Sequence, residues 1–107
     1  MPVPISLAGL ADLPPATVLI DVRRAPARKA SGRTIPLALR GEPGRVADWG
    51  PALEGRTVVV FCVHGHEVSQ GVADHLTRFG IETYYLDGGF AAWEAQGNPV
   101  EPIGADE

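Results

Sequence analysis

Two stretches of the chain are apolar without interruption and rich in β-branched residues, at positions 17–20 and 57–61. An unbroken apolar run predicts a strand covered on both faces, as in a parallel sheet, whereas alternation predicts a strand with one exposed face. Residues 83–86 form a third predicted strand, and residues 37–39 a shorter fourth. The pattern therefore predicts a small, mainly parallel sheet.

A helical pattern separates the second predicted strand from the third. Its apolar residues lie three or four positions apart, at Val68, Val72, Leu76 and Phe79. Gly80 follows as a C-terminal stop. Residues 90–96 predict a short helix ended by Gly97, and residues 7–13 predict another ended by two prolines. Strands that alternate with helices predict an α/β fold with helices on both faces of the sheet.

The length of the chain, 107 residues, fits one domain. Hydrophobic residues make up 45% of it and charged residues 21%, a balance typical of folded globular proteins. We expect a single domain over residues 1–107, with a core over about residues 5–100 and an acidic C-terminal tail, residues 101–107, that frays. No apolar run approaches the ~18 residues of a membrane span, and no signal peptide is visible, so we expect a cytoplasmic protein.

The charge pattern argues against two classes of partner. Thirteen acidic and nine basic residues give a net charge of −4, which opposes binding to nucleic acid or to an anionic membrane. Residues 23–56 nevertheless hold eight of the nine basic side chains. This part of the surface is either an ordinary solvated face or a region that attracts a small anion or an acidic partner.

Cys62, the only cysteine, lies at the end of the predicted strand 57–61 and just before the predicted helix. In open α/β sheets, ligands bind beyond the carboxyl ends of the strands, and the amides at the start of a helix attract anions. We therefore expect the loop to favour the thiolate of Cys62, which is the nucleophilic form. Gly65 permits the left-handed turn that lets successive amides converge. The alternative is an inert core thiol.

Three neighbouring side chains are candidates for a role in the chemistry. His64 and His66 shape the loop, contact substrate or transfer a proton. A zinc site formed by them with Cys62 would lack a fourth ligand, so we predict no metal and no cofactor. Glu67 either complements the dipole of the helix that it opens or acts as an acid. His75 is predicted to lie on the surface of the helix.

Four segments, in this order, resemble motifs of the rhodanese-like domain family of sulfurtransferases. Residues 19–23 (LIDVR) resemble its first-strand motif, and residues 32–38 (GRTIPLA) its glycine-X-isoleucine-proline segment. Residues 59–65 (VVFCVHG) resemble the active-site strand and loop, and residues 86–93 (LDGGFAAW) the closing motif. The resemblance covers about residues 5–100 and implies a single rhodanese-like domain.

The same resemblance implies an activity. Cys62 would take a sulfane sulfur from a small anionic donor such as thiosulfate, hold it as a persulfide, and pass it to cyanide, a small thiol or a protein thiol. The substrate cradle would be formed by the amides and side chains of Val63, His64, Gly65, His66, Glu67 and Val68. Asp21 and Arg23 would be structural and brace the end of the sheet by hydrogen bonds.

Two features depart from the family pattern. Counted to the helix, the loop that starts at Cys62 has seven residues, one more than in common single-domain sulfurtransferases, and seven is the length in the phosphatase and arsenate-reductase branch. That branch also ends its loop with an arginine, where this chain has Val68 after Glu67. A cation would have to come from Arg23, Arg24 or Arg33. The alternatives to a sulfurtransferase are therefore an oxyanion enzyme and a non-catalytic binding or redox-sensing module.

Overall fold

The computed structural model describes residues 1–104 and contains seven strands in that range. They are β1 (Val3–Ile5), β2 (Val18–Asp21), β3 (Arg33–Thr34), β4 (Leu39–Arg40), β5 (Thr57–Phe61), β6 (Glu82–Leu86) and β7 (Glu101–Pro102). Five of them form a parallel sheet in the order β1-β6-β5-β2-β4, and β3 pairs with β7 in a separate antiparallel ribbon. The predicted α/β fold with a mainly parallel sheet is confirmed.

Within residues 1–104, five α-helices connect or flank these strands. They are α1 (Leu7–Leu10), α2 (Ala25–Ser31), α3 (Val46–Trp49), α4 (Glu67–Arg78) and α5 (Gly89–Ala95), with short 3-10 turns at Pro43–Arg45 and Gly50–Leu53. Within residues 1–104, none of the helices has the length and apolar character needed to cross a membrane.

The core lies on both faces of the central sheet because successive residues of β5 point to opposite sides. Val58 and Val60 pack on one face with residues of α4, and Val59 and Phe61 pack on the other face with Phe90 of α5. These four of the five residues of β5 are fully buried. The unbroken apolar run of this strand is thus explained by helices on both faces of the sheet.

The predicted helix over residues 7–13 is shorter than expected. It ends at Leu10, and Ser6 caps its start by accepting a hydrogen bond from the Gly9 amide at 2.9 Å. The residues that follow form turns, with Leu13 donating to the carbonyl of Leu10. Two prolines come next in the chain, and a proline cannot supply the backbone donor that continues a helix.

The expectation that residues 101–107 fray is wrong at the start of that tail. Glu101 and Pro102 form β7, which pairs with Arg33 and Thr34, and the amide of Ile103 donates to the carbonyl of Gly32 at 3.0 Å. Residues 105–107 lie outside the described part of the chain. The acidic segment therefore begins as an ordered strand.

Candidate active site

Cys62 directly follows β5, is 5% exposed, and lines a pocket of about 180 Å³. Five of the six residues predicted to form the cradle line the same pocket, which is bounded by Arg23, Arg24, Ala27, Cys62, Val63, His64, His66, Glu67 and Val68. Helix α4 begins at Glu67, so the last two residues of the predicted cradle lie in its first turn. Gly65 does not line the pocket and is buried beneath the loop.

The loop after Cys62 is held in place by the start of α5. The amide of Phe90 donates to the carbonyl of Cys62 at 2.8 Å, and the amide of Ala91 donates to the carbonyl of Val63 at 2.9 Å. Gly65 has φ of 75°, and a Cβ atom there would lie 2.6 Å from the carbonyl oxygen of Leu86. The closing motif therefore packs directly against the loop, and only glycine fits at position 65.

The first two backbone amides of the loop, those of Val63 and His64, point away from these anchors. In a trans peptide the N–H points opposite to the C=O, so the amides that follow the anchored carbonyls of Cys62 and Val63 point away from α5. Among the residues that the structure describes, none accepts a hydrogen bond from the amides of residues 63–69. This run of unpaired donors is the feature that an anion-binding loop requires.

A buried hydroxyl group contacts the thiol. The Sγ atom of Cys62 lies 3.1 Å from Oγ of Ser69, whose side chain is fully buried. When the sulfur is a thiolate, the hydroxyl is the donor of this hydrogen bond. Sequence reasoning missed Ser69. The available signal was a polar residue on the buried face of an amphipathic helix, where a hydroxyl needs a partner.

Asp21 forms the centre of a buried network behind the pocket. Its carboxylate accepts hydrogen bonds from Arg23 at 2.8 and 3.0 Å, from Arg28 at 3.0 Å and from the hydroxyl of Thr34 at 3.1 Å. Burial raises the pKa of Asp21, but the hydrogen bonds and charge of Arg23, helped by Arg28, outweigh it and hold the pKa below 3.8. The predicted hydrogen bonds of Asp21 and Arg23 at the sheet end are confirmed.

Arg23 lines the pocket, but its guanidinium group is already bound by other residues of the protein. Its guanidinium pairs with Asp21, donates to the carbonyl of Arg33, and lies 4.3 Å from the ring centroid of Phe90. The residue is 1% exposed. It therefore stiffens the wall of the pocket and supplies no uncompensated charge to it.

Arg24 and Arg33 differ in their access to the pocket. Arg24 is exposed and lines it, and its side chain forms no ion pair or hydrogen bond within residues 1–104. Arg33 does not line it and pairs with Glu94 at 3.1 Å on the surface. Of the three arginines that sequence reasoning named, Arg24 is the one whose positive charge reaches the pocket without a partner among residues 1–104.

The histidines of the loop stand at the mouth of the pocket. His64 and His66 are exposed, with ring centroids 6.2 Å apart. In the described part of the chain, no three side chains of the metal-binding types are placed to hold a metal ion. His75 lies on the exposed side of α4, as predicted, and its ring contacts that of Phe79.

Comparison with known sequences identifies the family. The family model of the rhodanese-like domain matches residues 6–96, and the chain belongs to this family. The resemblance drawn from the four motifs is confirmed. Among curated proteins, the chain is similar to the thiosulfate sulfurtransferase GlpE of Tolumonas auensis, with 54% identity over 37 residues. The matched segment is 34% of this chain and spans about a third, 34%, of that relative.

Two solved structures share the fold along most of the chain. A rhodanese-related protein from Thermoplasma volcanium has a TM-score of 0.79 at 23% identity, over 92% of this chain and 97% of its own. A Rhodopseudomonas palustris protein of unknown function, described as a possible tyrosine phosphatase, has a TM-score of 0.80 at 22% identity, over 94% and 85%. At these identities the likeness establishes the fold alone.

Proposed function

We propose that this protein is a sulfurtransferase that carries a sulfane sulfur on Cys62. Its donor is a small anion such as thiosulfate, and its acceptor is cyanide, a small thiol or a protein thiol. The observation that carries the proposal is the setting of the Cys62 sulfur, which lies in a pocket beside the Ser69 hydroxyl and a loop of unpaired amides. Membership of the rhodanese-like family supports it.

The first half-reaction loads the cysteine. The thiolate of Cys62 attacks the outer sulfur of thiosulfate, a new S–S bond forms, and sulfite leaves with the electron pair of the old one. Cys62 then carries a persulfide whose terminal sulfur is negatively charged. The Ser69 hydroxyl and the loop amides are the donors that stabilise negative charge on sulfur before and after this step.

The second half-reaction removes the sulfur from Cys62. A nucleophilic acceptor attacks the terminal sulfur of the persulfide, the bond between that sulfur and Cys62 breaks, and Cys62 leaves as a thiolate. With cyanide the product is thiocyanate, and with a thiolate it is the persulfide of the acceptor. The two steps return the protein to its starting state and need no added oxidant or reductant.

A second candidate function, that of an oxyanion enzyme, is favoured by the exposed cation of Arg24 at the pocket. The loop ends with Glu67 and Val68, so it lacks the terminal arginine that would hold a phosphate or arsenate by two hydrogen bonds. Protection of Cys62 from alkylation by arsenate or an aryl phosphate would support this candidate. We expect no protection, because the loop has no terminal arginine and the buried guanidinium of Arg23 is already paired with Asp21.

The proposed activity is tested by incubating the protein with thiosulfate and cyanide and measuring thiocyanate. We expect turnover by the natural chain and none by Cys62→Ser, which keeps the approximate shape of the side chain but removes the sulfur nucleophile. Equal thiocyanate production by the two proteins would overturn the assignment of Cys62 as the carrier.

A further inference from the structure

A second pocket adjoins the pocket of Cys62 and shares a wall with it. It has a volume of about 260 Å³ and runs along one side of α4, from Glu67 and Val68 to Gly71 and His75. Arg24, Glu67 and Val68 line both pockets. A molecule bound in the second pocket would therefore lie beside the pocket that contains Cys62.

Gly71 leaves the floor of this second pocket open. It lies in the interior of α4, where glycine lowers helix stability relative to alanine. A Cβ atom at Gly71 would meet no other atom within 4 Å. Packing within the protein therefore does not require a glycine at this position, and a large side chain there would project into the open pocket.

Arg24 and Glu67 supply opposite charges to the shared wall. Both side chains are exposed, and neither forms an ion pair or a hydrogen bond with any residue in 1–104. Because this cation and this anion line one cavity without pairing, each can bind a group of opposite charge. The complementary ligand carries a carboxylate and an ammonium group.

We propose that the second pocket binds the sulfur acceptor, and that this acceptor is a small thiol with an ammonium and a carboxylate group, such as cysteine or a cysteinyl peptide. The proposal rests on the sulfurtransferase function above. The carboxylate pairs with Arg24, the ammonium pairs with Glu67, and the thiol reaches the shared wall. Its thiolate attacks the terminal sulfur of the persulfide, the bond to Cys62 breaks, and the acceptor leaves as a persulfide.

The charge assignment is tested with three acceptors on protein already loaded by thiosulfate, so that only the second half-reaction is followed. Cysteine carries both charges, cysteamine lacks the carboxylate, and mercaptopropionate lacks the ammonium. Each variant is compared with the natural chain for the same acceptor, so the intrinsic reactivity of each thiol cancels. The readout is the rate at which intact mass loses one sulfur.

Arg24→Gln is expected to slow transfer to cysteine and to mercaptopropionate by about tenfold or more. Transfer to cysteamine, which has no carboxylate, should slow least. Glu67→Gln is expected to slow transfer to cysteine and to cysteamine by a similar factor. Transfer to mercaptopropionate, which has no ammonium group, should slow least. Equal effects of each variant on all three acceptors would overturn the charge assignment.

The location of the acceptor is tested at Gly71. Gly71→Leu fills the second pocket, Gly71→Ala controls for helix propensity, and Thr77→Leu adds the same side chain at an exposed position of α4 outside both pockets. We expect Gly71→Leu to slow transfer to cysteine by about tenfold or more, while Gly71→Ala and Thr77→Leu leave it near that of the natural chain. Transfer from Gly71→Leu to cyanide, which needs no second pocket, should be unchanged.

The outcomes separate this inference from the proposed function. Failure of the natural chain to gain a sulfur from thiosulfate would overturn the sulfurtransferase itself. Normal loading, with cysteine transfer as fast in Gly71→Leu as in Gly71→Ala, would overturn only the second pocket as the acceptor site. Loss of cyanide transfer in Gly71→Leu would also overturn it, because the effect would then lie in the pocket of Cys62.

Discussion

The hydroxyl oxygen of Ser69 lies 3.1 Å from the sulfur of Cys62, and both residues are buried. Cys62 follows a strand and Ser69 lies in the first turns of the next helix, so the contact joins the two elements that flank the loop. A hydroxyl in this position can donate to a thiolate, whereas a thiol needs no such donor. The contact therefore connects the local structure of α4 with the reactivity of the cysteine.

Ser69→Ala is expected to slow the loading of Cys62 by thiosulfate about tenfold or more, because the thiolate loses one hydrogen bond, and a hydrogen bond to a charged group contributes about 1.5–3 kcal/mol. The measurement is the rate of sulfur gain by intact mass at fixed pH. Thr77→Ala, at an exposed position of the same helix, is the matched control and should load at the natural rate. Loading of Ser69→Ala at the natural rate would remove the hydroxyl from the mechanism.

Asp21→Asn is expected to lower the free energy of unfolding by about 3–5 kcal/mol, because the variant loses the buried charge that pairs with the guanidinium groups of Arg23 and Arg28. Urea unfolding measures the change. Asp48→Asn removes an aspartate–arginine pair in which both side chains are about two-thirds exposed, at 66% and 68%, and should change stability by less than about 0.5 kcal/mol. Similar losses in the two variants would contradict the role of the buried network.

The stability conferred by Asp21 should depend on pH in one direction. Its pKa in the folded protein lies below 3.8, so folding favours the ionised carboxylate. The contribution is complete above the ordinary pKa and is lost as pH falls through the lowered one. The difference in unfolding free energy between the natural chain and Asp21→Asn should be constant near neutral pH and shrink below about pH 4. A difference in unfolding free energy that grows on acidification would contradict a lowered pKa for Asp21.

Gly65→Ala is expected to lower stability by more than about 2 kcal/mol and to abolish most sulfur loading, because the methyl group meets the carbonyl of Leu86. Gly97→Ala is the matched control, since Gly97 has a similar φ of 77° but open space around it. Gly97→Ala should show only the backbone cost of ~1 kcal/mol and load normally. Thermal unfolding and sulfur loading of the two variants should differ clearly, and equal behaviour would show that the loop tolerates the methyl group.

The parts of the fold that sequence predicted are those with a local signal. The valines of β5 gave an unbroken apolar run because helices cover both faces of the sheet, and the four-residue spacing in α4 reflects its one buried face. Helix α2 gave no such signal, since alanine, proline and charged residues make up most of it. Strands β3 and β7 have two residues each and pair across most of the chain, so no local pattern marks them.

The candidate site was likewise predictable where its residues are close together in the sequence. The position of Cys62 between a strand and a helix is a local feature, and the five neighbours that line its pocket follow it closely in sequence. Arg24 lines the pocket from just beyond the carboxyl end of β2. This strand is distant from β5 in the sequence and adjacent to it only in the sheet. Its place beside Cys62 depends on strand order, and spacing along the chain does not encode that order.

The most direct test of the central claim is the intact mass of the protein after exposure to thiosulfate, with peptide mapping of the modified residue. The account predicts a gain of one sulfur atom located on Cys62, its loss on addition of cyanide, and no gain in Cys62→Ser. A natural chain that keeps its original mass, or that gains sulfur equally in Cys62→Ser, would contradict the proposal that Cys62 carries the transferred sulfur.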